Sequence, residues 1–586
     1  MLKVTRFLLF LSDLALLVIS PPAADVSAQT QPEFPQRVGF LVEEPEIRVT
    51  PEGSAILTLH VQDACSGGEA WLGVFPSEGQ LQYPHYLLIG SVTVLSPGQV
   101  VVQFPLKAME SAEKDIRHLH DSRGGRLAVR LQLWGTKTQI LDRVFAYARS
   151  DENVYRRVPS LISGPFVDCV TDHSAVISFD FDEPLSCRIS LQPGGRSIGV
   201  AESRRHHEIA LTGLAAKSVQ RYQIHWEIGG DSFFSAEYSF RTAPEAGSKG
   251  TVRFAVFCDS RAAVGGGEAD VEGVQRSAMV KLLNLAYRRE ADFIVFPGDL
   301  VSGSTSNPDE LERQFQSWKR ITAPVAGSIP VFEGMGNHDC TGRWVGNTIQ
   351  EYIPRSGNEA SEVIFARNFV NPENGPNPPH SSDPPYLENV YCFDWGWVHF
   401  AVLNTNYQQK GTHESVRPLA GDPEGTLRTE QLDWLENDLK EARKRGIKYL
   451  FVAAHEPAFP CGGHAEDAMW WRGKIPAIIA GRDRFWGILS RYQVVCAFFG
   501  DEHNYSRTLI DSTVNPQFER PVWQIVTGGA GAPTYAQDST VPWADKVQAF
   551  FPVHHLCFVE ADEEHVWLTV VSADGDKLER VDLLQR

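Results

Sequence analysis

Cysteine, cationic residues and long apolar runs are all scarce in this chain. Nine cysteines in 586 residues are few, and none lies in a Cys-x-x-Cys pair or a zinc-finger spacing, so neither a disulfide framework nor a zinc finger is expected to support the fold. Lysine and arginine number 54 against 73 aspartates and glutamates, and the resulting net charge of −19 argues against nucleic acid as a structural partner. After residue 28 no segment approaches the roughly 18 apolar residues of a membrane helix, so the mature chain is not expected to contain a membrane span.

The first residues have the composition of a secretory signal. Lys3 and Arg6 precede an apolar stretch over Phe7–Ile19, and small residues follow up to Ala28. This order predicts a signal peptide over residues 1–28 and a secreted or periplasmic (extracytoplasmic) protein. Asp13 interrupts the apolar stretch, so an uncleaved amphipathic or anchoring segment is the alternative.

Two strand-rich segments follow. Apolar residues alternate with polar ones in short runs that Gly, Pro and Ser separate, which is typical of half-buried strands. The runs predict an N-terminal β domain over residues 36–150 and a small β-sandwich over residues 157–243, with a linker at Ala243–Gly250. The clearest runs are Ala55–Val61, Leu127–Trp134, Ala175–Phe181, Ser186–Leu191 and Tyr222–Ile228.

Beyond the linker, short apolar runs alternate with helical spacing. Strands that alternate with helices predict an α/β domain, here over residues 251–586, with an at least partly parallel sheet. The predicted fold class is therefore multidomain, with N-terminal all-β domains followed by an α/β domain. Its predicted helices are Val271–Arg289, Glu310–Arg320 and Thr429–Arg445, and its predicted strands include Phe254–Phe257, Phe293–Phe296, Pro330–Phe332, Tyr449–Ala453 and Val494–Phe499.

Each of these five predicted strands leads directly to side chains that bind metal ions. A single aspartate after a strand often only caps a helix or a turn, but five such strand ends in succession are hard to obtain by chance. Because the carboxyl ends of parallel strands converge, the side chains are expected to form one site that suits two hard or borderline divalent ions. They are Asp259, Asp299, Asn337 with His338 and Asp339, His455, and Asp501 with His503.

These motifs resemble, in order and spacing, the five motifs of the calcineurin-like metallophosphoesterases. The resemblance covers about residues 251–560, and Gly336-Asn337-His338-Asp339 is its most specific part. A β-sandwich before this domain is similar to the layout of purple acid phosphatases, in which a fibronectin type III-like domain precedes the catalytic fold. The resemblance implies a four-layer α+β sandwich for the catalytic domain and a phosphorylated small molecule or other phosphoester as substrate.

The resemblance also implies a role for each residue. Asp259, Asp299 and His503 would hold one metal ion (the first position), with Asp299 bridging, and Asn337, His455 and Asp501 would complete the second position. The implied cofactors are two divalent ions, which can be Mn, Fe, Mg, Ca or Zn. Asn337 would also contact substrate, His338 would protonate the leaving group or bind phosphate, and Asp339 would orient the His338 imidazole. His464 is similar to the outer, substrate-facing histidines of purple acid phosphatases.

Three residues depart from the family pattern. Arg261 stands where most of the superfamily has a metal-binding histidine, and it is expected to contact phosphate or, alternatively, to pair with a carboxylate of the site. Ser302 replaces the metal-binding tyrosine of purple acid phosphatases, so no purple charge-transfer band is expected. Asp501 replaces a histidine, which makes the second position rich in oxygen ligands and favours Mn, Mg, Fe or Ca over Zn.

The sequence thus predicts an exported, dimetal-dependent hydrolase of phosphoric monoesters or diesters that uses a metal-activated water. The alternative is a catalytically weakened, secreted binding protein that keeps the phosphoesterase fold, because Arg261 and Asp501 both depart from the pattern. Asp299, Asn337, His338, His455 and His503 are all retained, which favours the enzyme.

Overall fold

The computed structural model describes residues 41–585, except residues 44, 76–83, 97, 112, 116–117, 136–137, 229, 263–271 and 349. The predicted signal peptide over residues 1–28 lies outside the described residues. Within the described part of the chain, no helix is long and apolar enough to cross a membrane.

The first described segment is built from antiparallel strands. The first half of β4 pairs with β3 and its second half with β5, so this strand joins two groups of strands. In β2 and β5 every second side chain is buried, which produces one apolar core between the strands. The elements are β1 (Glu46–Val49), β2 (Ser54–His60), β3 (Gly67–Val74), β4 (His85–Ser96), β5 (Gln99–Pro105), α1 (Leu106–Met109), α2 (Leu119–Ser122), β6 (Gly124–Trp134), β7 (Gln139–Arg149) and β8 (Tyr155–Val158).

A second antiparallel segment is arranged around one long strand, β10. The two strands predicted at Ala175–Phe181 and Ser186–Leu191 are parts of this single strand, which corrects the sequence-based expectation of a turn between them. The register shifts between Asp180 and Cys187, around Pro184, whose missing N–H interrupts the ladder without ending the strand. The strands are β9 (Leu161–Asp168), β10 (Ser174–Gln192), β11 (Arg196–Thr212), β12 (Val219–Ile228), β13 (Asp231–Phe234) and β14 (Tyr238–Arg241).

Two sheets form the centre of the remaining chain. One has the order β17-β16-β15-β27-β28-β29 and the other β20-β21-β22-β23-β25-β24-β26, and both combine parallel with antiparallel pairs. The strands are β15 (Val252–Val256), β16 (Phe293–Phe296), β17 (Val331–Glu333), β18 (Gly342–Trp344), β19 (Tyr352–Pro354), β20 (Tyr391–Trp395), β21 (Val398–Val402), β22 (Tyr449–Ala453), β23 (Cys496–Phe499), β24 (Tyr505–Ile510), β25 (Val522–Thr527), β26 (Val547–Phe551), β27 (His555–Ala561), β28 (Val566–Ser572) and β29 (Lys577–Asp582).

The two sheets pack face to face and helices cover their outer faces. Phe254 of β15 contacts Phe400 of β21 and Phe451 of β22, with ring centroids 5.1 and 5.2 Å apart, so aromatic side chains fill the space between the sheets. The resulting four layers confirm the predicted fold class. The helices are α3 (Arg276–Arg288), α4 (Pro308–Ala326) and α5 (Ser361–Asn368), which cover the first sheet, and α6 (Thr429–Lys444) and α7 (Pro476–Tyr492), which cover the second.

Candidate metal centre

The predicted site residues follow the carboxyl ends of strands in both sheets. β15, β16 and β17 of one sheet end shortly before Asp259, Asp299 and Asn337. β22 and β23 of the other sheet end shortly before His455 and Asp501. Because the two sheets face each other, these five strand ends meet at one edge of the sandwich.

Three of the carboxylates stand on left-handed backbone. The φ angles are +64° at Asp259, +52° at Asp299 and +64° at Asp501. A residue other than glycine held in this region costs on the order of 1–3 kcal/mol, so the conformation persists only where surrounding contacts enforce it. Such strain is concentrated at functional sites, and here it falls on three residues that the sequence predicts as metal ligands.

Glycines beside these side chains permit an unusually close approach of the backbone. A Cβ atom at Gly500 would lie 2.5 Å from Asp259 Oδ2 and 2.9 Å from His455 Nδ1. A Cβ atom at Gly336 would collide with Asp299 Oδ1. Both positions therefore require glycine, which explains the glycine that precedes Asn337 and the one that precedes Asp501.

Asp259, Asp299 and His455 form the buried centre of the site. His455 Nε2 lies 3.3 Å from Asp299 Oδ1 and 3.9 Å from Asp259 Oδ1, and all three side chains are fully buried. The backbone N–H of Asp501 donates to Asp259 Oδ1, and that of His338 donates to Asp299 Oδ1. These hydrogen bonds fix each carboxylate, and the same Oδ1 atoms face the ring of His455.

Around the second position, buried donor atoms converge without partners. Donor atoms of His455, Glu456 and Asp501 lie within 4.8 Å of one another. Asn337 Oδ1, Asp501 Oδ2, Glu456 Oε2 and both ring nitrogens of His455 are buried and have no hydrogen-bond partner among the described residues. A buried polar atom without a partner costs about 1–3 kcal/mol, so this arrangement is expected only if something else satisfies the atoms. Carboxylate and amide oxygens with one imidazole fit a divalent cation.

The protonation equilibria of the site reflect its burial. Burial raises the pKa of Asp259 to about 7 and lowers the pKa of His455 to about 3. Burial, together with the negative charge of Glu456, raises the pKa of Asp501 well above its ordinary value. The carboxylates therefore need positive charge nearby to ionise together, whereas the His455 imidazole stays neutral and keeps a lone pair for a ligand bond.

Arg261 lies inside the first position rather than beside it. Only 3% of the residue is exposed. Its Nε lies 3.6 Å from Asp299 Oδ2, and its Nη2 lies 3.3 Å from His503 Nε2 and 3.4 Å from Tyr535 Oη. Of the two alternatives that the sequence left open, the ion pair with a site carboxylate is present, and a phosphate contact remains a prediction.

The structure brings His338 to the site and corrects the expected partner of its imidazole. His338 Nδ1 donates to the carbonyl oxygen of Ser302 at 2.8 Å, so this backbone carbonyl, not Asp339, orients the ring. The Asp339 carboxylate instead accepts the N–H groups of Leu300, Val301 and Gly336, because it lies on the far side of the turn. Asp339 is thus placed to stabilise the loops that carry Asp299 and Asn337 and not to act on the His338 ring.

His464 also reaches the site. Its Nδ1 lies 3.2 Å from Asp467 Oδ1 and 3.4 Å from Asp501 Oδ1. Burial would lower its pKa, but Asp467 and the neighbouring carboxylates outweigh that effect and raise the pKa to about 9. His464 therefore adds a positive charge at the partly exposed margin of the second position, as a substrate-facing role would require.

Sequence reasoning missed four residues at the site: Glu424, Glu456, Asp467 and Tyr535. Glu456 directly follows the predicted ligand His455, and this adjacency is the one signal that was available for it. Tyr535 follows the glycine-rich loop after β25, and its ring stacks on His503 with centroids 4.4 Å apart. Glu424 and Asp467 lie in loops, and the conformation of a loop cannot be predicted from the periodicity of its sequence.

Comparison with known proteins identifies the relatives of this chain. The sequence model of the calcineurin-like phosphoesterase family matches residues 266–505. A protein of Arabidopsis thaliana named "Probable inactive purple acid phosphatase 1" is 23% identical over 350 residues, which are 58% of this chain and 51% of that protein. Purple acid phosphatase 21 of the same plant is 24% identical over 272 residues, which are 46% of this chain and 47% of its own. The chain therefore spans about half the length of these curated relatives.

A solved structure shares the fold over most of the chain. The purple acid phosphatase PPD1 from seeds of yellow lupin (Lupinus luteus) matches with a TM-score of 0.54 and 14% identity, over 90% of this chain and 92% of its own. At this identity the match shows the fold alone. Together with the family match over residues 266–505 and the geometry of the five motifs, it leads to one conclusion: the α/β part of the chain is similar to the calcineurin-like phosphoesterases, and its layout behind all-β segments is similar to that of the purple acid phosphatases.

Proposed function

We propose that this chain is an exported, metal-dependent hydrolase of phosphoric esters. The observation that carries the proposal is the convergence of buried, unpartnered donor atoms of Asn337, His455 and Asp501 beside Asp259 and Asp299. Unpartnered atoms of this kind would be costly in a protein that never binds a cation. The similarity to phosphoesterases supplies the substrate class.

The residues of the second position, together with Glu456, would bind the metal ion. Asn337, His455, Asp501 and Glu456 would hold a divalent ion, and the prevalence of oxygen ligands favours Mn²⁺, Mg²⁺, Fe²⁺ or Ca²⁺ over Zn²⁺. The two-ion centre that the resemblance implies would use Asp259, Asp299 and His503 for its first position. A divalent ion bound at such a site activates water and neutralises charge on a phosphoryl group.

The other side chains would position the substrate. The hydrogen bond from His338 Nδ1 to Ser302 fixes the ring, so that Nε2 would donate to the leaving-group oxygen or to a phosphoryl oxygen when the ring is protonated. The Arg261 guanidinium, which faces His503 and Tyr535, would bind phosphate oxygens of the substrate. His464 would contribute a second positive charge towards an anionic substrate.

A binding protein without turnover is the second candidate. It is favoured by the guanidinium of Arg261, which stands at the first position and cannot ligate a metal ion. Three of the similar plant proteins are also named as probable inactive purple acid phosphatases. In this case the site would still bind a cation and a phosphate group but would not cleave the ester.

The two candidates are separated by an assay of the chelator-stripped protein. Hydrolysis of p-nitrophenyl phosphate and bis(p-nitrophenyl) phosphate is measured with added Mn²⁺, Mg²⁺, Ca²⁺ or Zn²⁺. The proposal expects turnover that appears only on adding metal and that His455→Ala removes, whereas the control His173→Ala, an exposed histidine outside the site, keeps it. No hydrolysis of either ester with any metal would favour the binding protein.

Export and domain organisation form a second part of the proposal. We propose cleavage after residue 28 and three domains, residues 36–150, 157–243 (fibronectin type III-like) and 251–586, in the secreted or periplasmic protein. N-terminal sequencing of the protein recovered outside the cytoplasm tests the cleavage. A mature chain that still begins at Met1 would contradict it.

A further inference from the structure

We infer that the Arg261 guanidinium occupies the first position of the centre, so that the site holds one metal ion and one guanidinium instead of two metal ions. The inference rests on the proposed function, because it concerns the same site. It also gives a role to the residue by which this chain departs most from the pattern of its superfamily.

The first step concerns the lone pair of His503. His503 Nδ1 lies 2.6 Å from the carbonyl oxygen of Pro533, and since a carbonyl only accepts, Nδ1 carries the hydrogen. A guanidinium only donates, so His503 Nε2 accepts from Arg261 Nη2 at 3.3 Å. A ring nitrogen has one lone pair. The atom that would bind a metal ion at the first position is therefore already occupied.

The second step concerns Asp299, the predicted bridging ligand. Its Oδ1 accepts the N–H of His338, and its Oδ2 faces Arg261 Nε at 3.6 Å. A metal ion at the first position would lie about 2.1 Å from both this oxygen and His503 Nε2, in the space that the guanidinium faces. Two cations cannot share that space, and only 3% of Arg261 is exposed.

The third step is the contrast between the two positions. In the described ranges of the chain, no group of three converging donor atoms includes His503, whereas two such groups include His455. At the second position the donors of Asn337, Asp501 and Glu456 are unpartnered within the described residues. At the first position Asp259 Oδ2 and Asp299 Oδ2 lack a hydrogen-bond partner among the described residues as well, and these carboxylates converge with His455, but the lone pair of His503 is taken by Arg261.

Charge explains why a metal ion is still required. Four buried carboxylates, those of Asp259, Asp299, Glu456 and Asp501, lie around the site, and the positive charge of Arg261, with that of His464 when it is protonated, does not balance them. A divalent ion at the second position supplies the missing charge. The guanidinium would bind phosphate oxygens by donating hydrogen bonds. It cannot activate water, because it does not coordinate water as a metal ion does.

The number of bound ions tests the inference. The chelator-stripped full chain is loaded with excess MnCl₂ and desalted, and the metal bound per chain is determined by native mass spectrometry and elemental analysis. We expect one Mn²⁺ in the parent protein and two in Arg261→His, which introduces the histidine that most of the superfamily has there. Electron paramagnetic resonance gives an independent readout, since an isolated Mn²⁺ and an exchange-coupled pair have different hyperfine patterns.

Arg253→His is the matched control. Arg253 pairs with Glu560 at 3.3 Å on the surface of the first sheet, so this variant also places an imidazole beside a carboxylate. It should bind one ion, as the parent does. A gain of a second ion in this control would show that any added histidine binds metal, and would overturn the inference.

The remaining outcomes separate the inference from the proposed function. Two ions or a coupled pair in the parent overturn the inference, while hydrolysis in the same preparation would uphold the proposed function. One ion without hydrolysis of any ester upholds the inference and contradicts the proposed function. Failure of Arg261→His to gain an ion overturns the inference, and a parent that binds none contradicts both.

Discussion

At the scale of single residues, most candidate donor atoms at the second position are oxygens, unlike those of a typical zinc site. In the proposed ligand set, Asn337, Glu456 and Asp501 would contribute oxygen atoms, and His455 would contribute the imidazole. Hard cations such as Mn²⁺, Mg²⁺ and Ca²⁺ prefer oxygen ligands, whereas Zn²⁺ binds imidazole and thiolate well. The identity of residue 501 should therefore control which metal ion is bound.

The Asp501→His substitution tests whether residue 501 determines the metal preference. In Asp501→His we expect the affinity for Zn²⁺ relative to Mn²⁺ to rise by about tenfold or more, which is about 1.4 kcal/mol. Competition titrations of the chelator-stripped protein measure the ratio. Asp467→Asn, which changes a carboxylate on the other side of His464, should leave it unchanged. An unchanged ratio in Asp501→His would mean that Asp501 is not a ligand.

The sequence allowed prediction of those site residues that directly follow strands. A strand end fixes where the next residues lie, which is why Asp259, Asp299 and His455 could be placed together. The contact between Arg261 and His503 could not be foreseen, because it depends on how two loops from different sheets meet. The roles assigned to individual site residues remain predictions that the experiments above address.

At the scale of elements, the loops after the strands must approach each other closely. Gly500 follows β23, and a Cβ there would lie 2.5 Å from Asp259 Oδ2. Gly487 lies inside α7, where an added Cβ would meet nothing within 4 Å. The same substitution should therefore have opposite effects at the two glycines.

Substitution of each glycine by alanine tests whether the two effects on stability are opposite. Gly500→Ala should lower the free energy of unfolding by about 1–3 kcal/mol, as overpacking does in cores. Gly487→Ala should raise it by about 0.5–1 kcal/mol, because alanine loses less entropy in a helix than glycine. Thermal unfolding of the metal-free proteins compares them. Shifts of the same sign and size would contradict the close approach at Gly500.

A buried histidine joins three other elements. His399 of β21 bonds Asp394 of β20 through Nδ1 at 2.6 Å and Asp438 of α6 through Nε2 at 2.8 Å. Cys392 lies close to the same donor atoms, and Arg445 pairs with Asp394. Because carboxylates occupy both ring nitrogens, this group is a buried ion pair network and not a second metal site.

The network predicts a dependence of stability on pH. Burial alone would lower the pKa of His399, but Asp438 and Asp394 outweigh it and raise the pKa to about 9. A raised pKa stabilises the fold fully below the ordinary value of about 6.5, and the contribution is lost as the pH rises through 9. The difference in Tm between the parent and His399→Asn should therefore shrink from pH 6.5 to pH 9.5 or so. A constant difference would mean that the ring is uncharged.

The alternation of strands and helices after residue 251 was predictable, but the division into two sheets was not. β16 and β22 occur at the residues that the sequence predicts. Their apolar runs look alike, since both strands are buried on both faces, and nothing in such a run specifies which sheet it joins. Backbone hydrogen bonding between segments that are distant in the sequence decides which sheet each strand joins.

At the scale of the whole molecule, ion pairs connect the N-terminal strands with the α/β domain. Asp142 of β7 accepts two hydrogen bonds from Arg130 of β6 and lies 3.6 Å from Arg320 of α4. Arg130 also pairs with Glu272, which precedes α3, at 2.8 Å. These side chains are largely buried, so the contact is part of the packing between the two regions.

Removal of the central carboxylate should weaken this contact. In Asp142→Asn two largely buried guanidinium groups lose the carboxylate that they share, and we expect the free energy of unfolding to fall by about 2–4 kcal/mol. Asp231→Asn breaks the exposed pair between Arg156 and Asp231 and should change stability by less than about 1 kcal/mol. Denaturant unfolding and susceptibility to proteases compare the variants. Equal effects would show that the buried network does not hold the two regions together.

The most direct test of the central claim, that the buried donor atoms form a catalytic metal centre, is the hydrolysis rate of His455→Ala at saturating Mn²⁺. His455 Nε2 lies 3.3 Å from Asp299 Oδ1 and 3.9 Å from Asp259 Oδ1, and His455 also belongs to the second position. We predict a loss in kcat/KM of about 100-fold or more in a protein whose circular dichroism is that of the parent. Turnover near that of the parent would contradict the account.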